Sequence, residues 1–545
     1  MTNMKFDDIL SHIGEFGFYQ KRLYLLLCMP AISVGCYMMM LVITMATPEH
    51  RCQIPGYEND TYAILGDTHR FLVNVSIPLA SEDEDFLYEK CHMYTCNNGN
   101  SAANCPIQNR TRVKCSSWVY DKETFHETFT SMTNLVCDDA LKTSHAQMLF
   151  YFGVLVGDLG FGLVADIIGR KKTLYVTFII LLGSAFGVAW APNWTSFVIL
   201  EFVIGASNHG AFIICCVLGL EMVGPSKRVW AGILVHAFFA LGLVYLVGMG
   251  YFLRNWFWVQ IAVATPCAFF LSYWFFIPES PRWLISQGRF GEADKIIEKA
   301  ARVNKKPLPP SLMKVNKEEN DTGSDGRIWH LFSNRVLLTR TLIVYFNWAV
   351  VSMIYYGVTM HTGNMNGDFY LNFFLLAVVE FPAYFISIAL LDRWGRKRTH
   401  CACMLLGGIA CISTIFPVIF GGPDLQPLTL ALAIVGKIGA AGAFGVIYIF
   451  SAELFPTVVR NAGMGSSSCV ARIGGMLAPY VASSGDLVGG KFGKALPLVI
   501  FGAFSVAAGL MCLLLPETLH KKLPETIEDG VNFDKGSKKT LYEKN

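Results

Sequence analysis

The sequence predicts an all-α membrane protein: twelve transmembrane helices in two six-helix pseudo-repeats, with a large disulfide-bonded first outer loop. Three observations carry this. Apolar runs near twenty residues recur twelve times. A basic motif returns 226 positions after its first appearance. Six of the 16 cysteines gather between the first two apolar runs.

Of the 545 residues, 53% are hydrophobic and only 16% are charged, where a soluble chain carries about 25%. Mean hydropathy is +0.42. The net charge of +3 is too small to argue for nucleic acid, and no basic patch interleaved with aromatics appears outside the membrane ends. A spanning helix needs roughly 20 apolar residues. The expected spans are 22–46, 145–165, 173–191, 197–219, 230–252, 259–277, 340–360, 371–391, 401–420, 427–450, 462–483 and 495–515. The first lacks a cleavage site of small residues after a short apolar core, so it is expected to stay as a helix.

Lys and Arg in short loops set the orientation. Arg170-Lys171-Lys172, Lys227-Arg228, Arg396-Lys397-Arg398 and Arg460 fall on one side, with the segment 279–339 and the tail. The opposite short loops are poorer in bases, apart from Lys491 and Lys494. The expected order is therefore a cytoplasmic N-terminus (1–21), helix 1 (22–46), an extracellular loop (47–143) and helices 2–6 (144–278). A cytoplasmic central loop (279–339), helices 7–12 (340–515) and a cytoplasmic tail (516–545) follow.

The outer loop holds Cys52, Cys91, Cys96, Cys105, Cys115 and Cys137. An even set outside the cell reads as three disulfides, with 15 pairings open. Sequons at Asn59, Asn74 and Asn109 are expected to be glycosylated. Asn320 also heads a sequon but lies in the central loop and is expected to be unused. The loop has 14 acidic against 8 basic residues. The other cysteines are read as packing residues within helices.

The repeat is wider than one motif. Asp166-Ile167-Ile168-Gly169-Arg170-Lys171-Lys172 returns as Asp392-Arg393-Trp394-Gly395-Arg396-Lys397-Arg398. Glu221 leading to Arg228 returns as Glu453 leading to Arg460, 232 positions on. Pro278-Glu279-Ser280 returns as Pro516-Glu517-Thr518, 238 positions on. Order and spacing are nearly kept, as a parallel repeat requires. Asp166, Arg170, Asp392, Arg396, Glu221, Arg228, Glu453 and Arg460 are read as a gate whose charge pairs part in one state. The plain alternative is a basic anchor at the membrane face with no moving role.

These motifs resemble the signature of the major facilitator superfamily. Four further features resemble its organic cation, organic anion and carnitine transporter branch. They are the Cys-rich first loop, Pro278-Glu279-Ser280-Pro281-Arg282-Trp283, Glu380-Phe381-Pro382-Ala383-Tyr384, and Glu453-Leu454-Phe455-Pro456-Thr457-Val458-Val459-Arg460-Asn461. Pro524-Glu525-Thr526-Ile527-Glu528-Asp529-Gly530 is similar to the tail of insect organic cation transporters. The resemblance runs from about residue 8 to 534 and implies the major facilitator fold. It departs at Glu201, where the family pattern usually has Arg in helix 4. It departs again at Asp158 in helix 2, where relatives mostly have a small residue.

Charges inside the membrane are costly and mark function. Asp158 precedes Asp166 by eight residues, about 12 Å along a helix. Glu380 lies 12 residues before Asp392, and Arg472 lies 12 after Arg460, about 18 Å in each case. Both are thus expected near the middle of a core about 30 Å thick. One reading makes them opposite poles of a substrate site, Glu380 for a cation and Arg472 for an anion. The other makes them a structural ion pair. The resemblance implies that cation carriers tend to have an acid at the Arg472 position, and anion and carnitine carriers Arg. Trp348, Tyr355 and Tyr356 of helix 7 with Phe444 and Tyr448 of helix 10 are candidate substrate contacts, since ring faces attract quaternary ammonium groups. Lys437, roughly 24 Å from the inner end, and Glu201 have partners that spacing does not decide. His209 and His236 are read as packing residues rather than proton relays.

No phosphate-binding loop, paired-His zinc motif or nucleophile elbow is present. The chain is therefore read as no enzyme, with no cofactor and no catalytic or metal-binding residues. The expected function is secondary active or facilitative transport of small organic cations or zwitterions by alternating access, in the plasma membrane. The alternatives are an organic anion carrier using Arg472 and, more remotely, a receptor. The expected partners are a small organic ion, the lipid bilayer and a coupling ion, sodium or proton, left open together with the oligomeric state.

Overall fold

The computed structural model describes residues 6–80, 88–96, 106–306, 328–361, 365, 367–421 and 425–533. Cys105, Asn320, 307–310 and 314–327 lie outside them, and of Arg228 only the backbone is described.

Lipid offers no hydrogen bonds, so an apolar chain that crosses it must pair its own backbone along a helix. Twelve long helices result among the described residues. In the first half these are α1 (Phe18–Thr44), α2 (Leu141–Ile168), α3 (Arg170–Ala189), α4 (Trp194–Met222), α5 (Arg228–Leu253) and α6 (Trp256–Phe276). In the second they are α7 (Arg335–Met360), α8 (Phe369–Trp394), α9 (Arg396–Phe420), α10 (Gln426–Leu454), α11 (Arg460–Ala482) and α12 (Gly490–Cys512). Eleven are long and apolar enough to cross a membrane. In the twelfth, α11, Gly463, Gly465, Ser466, Ser467 and Ser468 break the apolar run while the helix itself is continuous. Its polarity suits a helix packed at the centre, against α7 and α2.

The helices meet through small residues, since packing rather than hydrophobicity joins helices in lipid. A Cβ on Gly474 of α11 would overlap the Ala349 carbonyl of α7. The equivalent pair in the first half is α5 with α1, where Gly242 meets the Ile32 carbonyl. The two crossings repeat one geometry in the two halves.

The side expected to be the outer one bears the long loop. That loop forms two antiparallel ribbons, β1 (His50–Cys52) with β4 (Trp118–Tyr120) and β2 (His92–Cys96) with β3 (Arg110–Lys114). Disulfides join Cys52 to Cys115 and Cys91 to Cys137, each with Cα atoms 5.7 Å apart. Cys96 is disulfide-bonded too. Cys52, Ile54, Val73, Ile77 and Met93 form a small core. Arg51, Asp60 and His69 form a buried polar network, with Arg51 Nη2 2.5 Å and His69 Nε2 3.0 Å from Asp60 Oδ1. Asn59, Asn74 and Asn109 are exposed. The loop rests on both halves: Phe129 stacks on Phe197 of α4 at 3.9 Å, and Phe125 meets Phe369 of α8 at 5.1 Å.

On the opposite side, the segment after α6 contains two helices, Pro281–Ser286 and Phe290–Val303. Leu10 and Ile13 of the N-terminal helix Phe6–Ile13 pack on Ala300 and Ala301. Asn304 ties the two together. Its Nδ2 donates to the Ile13 carbonyl at 2.9 Å and to Gln20 Oε1 at 2.7 Å, and its Oδ1 accepts from the Tyr19 N–H at 2.9 Å.

Candidate transport pathway

Each repeated motif builds the same bonded network. Arg170 Nη2 lies 2.9 Å from Asp166 and 3.4 Å from Glu221 Oε1, while Nη1 donates to the Ala165 carbonyl at 3.1 Å. Arg396 Nε lies 3.1 Å from Glu453 Oε2, and Nη1 donates to the Leu391 carbonyl at 3.2 Å. Glu279 Oε1 accepts from the Arg170 and Lys171 N–H groups at 3.0 and 3.2 Å, at the start of α3. Glu517 Oε1 accepts from the Arg396 N–H at 2.9 Å, at the start of α9. A carboxylate suits the positive end of a helix. Gly169 and Gly395 have φ of +106° and +92°, and a Cβ on either would strike that same carboxylate.

The acids of the two motifs are peripheral. The Asp166 and Asp392 side chains are 68% and 82% exposed, and Asp392 lies 3.8 Å from Arg396. Exposed pairs contribute little, so Glu221 and Glu453, at 14% and 18% exposure, are the main partners of the two arginines. Arg460 is held by the Phe455 carbonyl at 3.4 Å and the Thr457 hydroxyl at 3.2 Å. Each network lies within one half.

Two charged nodes occupy the middle of the bundle. In the second half, Lys437 Nζ of α10 lies 2.8 Å from Glu380 Oε1 of α8, with both side chains fully buried. The contact is a charge pair rather than an aligned hydrogen bond. Tyr355 of α7 donates its hydroxyl to Glu380 Oε2 at 2.7 Å. The Lys437 ammonium donates to the Tyr355 carbonyl at 3.0 Å and lies over the Tyr355 ring, 3.7 Å from its centroid. Lys437 thus reaches the depth of Glu380, because its long side chain spans the height difference that helix spacing implies.

The second node bridges the halves. Asp158 of α2 pairs with Arg472 of α11 at 3.1 Å and with His209 of α4 at 2.5 Å. Arg472 Nη2 also lies 3.2 Å from His209 Nε2. Glu380 and Arg472 therefore each have their own partner, Lys437 and Asp158.

Between the nodes lies an aromatic cluster. Tyr355 lies 5.0 Å from Phe444 and 5.1 Å from Tyr356; Trp348 lies 4.5 Å and Phe444 5.7 Å from Tyr448. Sequence spacing missed three contributors: Tyr151, 5.0 Å from Tyr356, and Tyr384 and His236, 5.4 Å apart. Tyr384 sits four residues after Glu380, one helical turn away, which is the signal that could have found it. Further out, Ser144 of α2 and Ser483 after α11 lie 2.6 Å apart, and Tyr251 of α5 meets Tyr370 of α8 at 5.7 Å. The halves are joined at the middle and at the outer ends.

Known proteins match this chain in sequence and in fold. The family model described as "Sugar (and other) transporter" matches residues 103–529. The "Organic cation transporter protein" of Drosophila melanogaster is 40% identical, over 98% of this chain and 95% of that protein. The "Organic cation/carnitine transporter 2" of Mus musculus is 33% identical, over 96% and 93%. The chain belongs to the organic cation transporter family of major facilitators. Among solved structures, the partially occluded inward-open xylose transporter XylE of E. coli has a TM-score of 0.60 at 16% identity. It covers 93% of this chain and 100% of its own, and that likeness concerns the fold. The protein is a multi-pass membrane transporter.

Proposed function

We propose that this transporter carries small organic cations and zwitterions across the plasma membrane by alternating access, with both termini cytoplasmic. The observation that carries the reading is the seat of the Lys437 ammonium, held between the Glu380 carboxylate and the Tyr355 ring face. A carboxylate facing an aromatic surface in a dry site is what a substrate ammonium requires. Lys437 fills that seat as an internal cation. An incoming substrate ammonium competes with it, and Trp348, Tyr356, Phe444 and Tyr448 line the approach. Arg472, held by Asp158, supplies the anionic pole for substrates that carry a carboxylate. The two relatives named above are an organic cation transporter and an organic cation/carnitine transporter, which supports the same reading.

Uptake of labelled tetraethylammonium, carnitine and an aromatic carboxylate, in cells expressing the protein, tests it. The first two are expected to accumulate above background. Uptake of the aromatic carboxylate alone would overturn the proposal. Glu380→Gln is expected to impair both cations and zwitterions, and Arg472→Ala to impair zwitterions selectively.

A further inference from the structure

Separating the two halves has an electrostatic consequence at Asp158. When α11 moves away from α2, the first half keeps an unpaired carboxylate and the second an unpaired guanidinium. An isolated charge at this depth costs at least about 2.5–3.5 kcal/mol. His209 is placed to cancel the first of these. The ring nitrogen facing Asp158 Oδ1, Nδ1, stands 2.5 Å away and donates to the carboxylate. The other, Nε2, faces Arg472 Nη2 at 3.2 Å, and a guanidinium only donates. In this arrangement the imidazole is therefore neutral, with Nε2 as an acceptor.

We propose that His209 is the coupling-ion site of this transporter, that the ion is a proton taken up at Nε2, and that it travels with substrates bearing a carboxylate. A proton from the water that reaches the open node forms an Nε2–H bond, and the hydrogen bond from Arg472 is lost. His209 is then a cation paired to Asp158 within the first half. Arg472 is released to pair with the substrate carboxylate within the second half. Each half is then neutral on its own, and the halves part without stranding a charge. A proton without an anion leaves two cations around one carboxylate, which weakens the crossing. A pure cation brings no partner for Arg472 and moves without this proton.

The neighbourhood leaves this role to His209. The three side chains are at most 9% exposed. The other titratable groups facing the node are Tyr151 of α2, Tyr356 of α7, Tyr448 of α10 and Cys469 of α11. From α1 the neighbour is the neutral Ser33, bonded to Asn208. From α5 comes His236, which lies against Tyr384 and Tyr448. From α3, Arg170 pairs with Glu221 at the inner end of α4, twelve residues from His209 and about 18 Å away.

The inference rests on the proposed handling of zwitterions, and two measurements keep the two claims apart. In proteoliposomes of the full chain with an interior pH dye, carnitine entry is expected to acidify the lumen, and tetraethylammonium entry is not. In His209→Gln the acidification per carnitine carried is expected to fall to the leak level. Carnitine transport without acidification, or equal acidification in His209→Gln, would overturn the inference. The second readout needs no substrate. A disulfide between Ser144→Cys and Ser483→Cys reports the outer crossing. Its yield is expected to drop several-fold more between about pH 7.5 and about pH 5.5, where histidine changes charge, than the same cysteine pair drops when His209→Gln is added, a background that carries only the loss of thiolate common to both. Should carnitine not be carried while this pH response appears, the zwitterion reading fails and the proton site stands. An equal fall in both backgrounds sinks the proton site.

Discussion

On the proposed reading, Lys437 sets the terms for a substrate. Its ammonium already has what a bound cation would seek, the Glu380 carboxylate and the Tyr355 ring. The hydrogen bond from the ammonium to the Tyr355 carbonyl is of the kind that contributes about 1.5–3 kcal/mol, so on that reading an incoming ammonium has to displace a well-held competitor. Lys437→Gln is expected to remove the competition and lower the KM for tetraethylammonium roughly tenfold, the factor that about 1.4 kcal/mol supplies. Surface expression is expected to fall in parallel, because Glu380 loses its buried partner. An unchanged KM at matched expression would show that the pair is purely structural. The pairing itself was not legible in the sequence. Spacing places Glu380 and Arg472 at equal depths along their helices, but says nothing of azimuth, and azimuth decides which faces meet. Hence the partners of Glu380, Arg472 and Asp158 emerge only from the packed helices. For the same reason His209, read as a packing residue, turns out to hold Asp158.

At the scale of elements, the outer loop carries its own pH dependence. Burial pushes the His50 imidazole down from its ordinary 6.5 to about 4. An unfolded loop would take a proton near pH 6.5, whereas the folded loop refuses it until about pH 4. The stability from His50 is therefore full above pH 6.5 and is lost as the pH falls towards 4, by about 3 kcal/mol in all. Asp60 acts in a lower window. Burial would raise its carboxyl, but Arg51, the Ile54 N–H and His69 outweigh burial and hold it below the usual range. Its contribution is lost only as the pH drops below the ordinary carboxylate range. Added protease is expected to cleave the loop faster at pH 5 than at pH 7 in the wild type, and His50→Gln to flatten that difference. Equal cleavage at both values would contradict the assignment. The turns between α2 and α3 and between α8 and α9 make a second element-scale test. Gly169→Ala and Gly395→Ala each place a side chain at positive φ and against a carboxylate. Their ψ angles of 154° and 168° put both in an extended positive-φ region that is essentially reserved for glycine, where another residue costs about 1–3 kcal/mol before the clash is counted, so both variants are expected to lower the melting temperature of the purified protein to a similar degree. These turns were legible in the sequence, because a Gly that stands twice between an apolar run and a basic burst marks the point where a helix leaves the membrane and turns back. The α11 helix was harder to read, since its Ser and Gly content suppresses the apolar signal that marks the other eleven.

At the scale of the molecule, the bonded networks fall into two kinds. The Arg170–Glu221–Glu279 and Arg396–Glu453–Glu517 networks each lie within one half and tie the ends of three spanning segments together. The Asp158–His209–Arg472 node crosses from one half to the other. Alternating access by rocking of rigid halves needs both kinds: braces that hold each half stiff, and a crossing that breaks. The distinction is measurable by double-mutant cycles. Distant, independent sites add within about 0.3–0.5 kcal/mol, and contacting charges couple by about 0.5–3 kcal/mol. Glu221→Gln combined with Glu453→Gln is expected to be additive in the free energy of activation for substrate exchange. Asp158→Asn combined with Arg472→Gln is expected to be strongly non-additive, because the first substitution removes the partner the second would have lost. Within each brace, Glu221→Gln is expected to slow exchange more than Asp166→Asn, since Arg170 leans on the buried glutamate rather than on the exposed aspartate. If the two brace variants couple as strongly as the crossing pair, the networks communicate across the halves, and the picture of two stiff bodies around a breakable charged crossing is wrong.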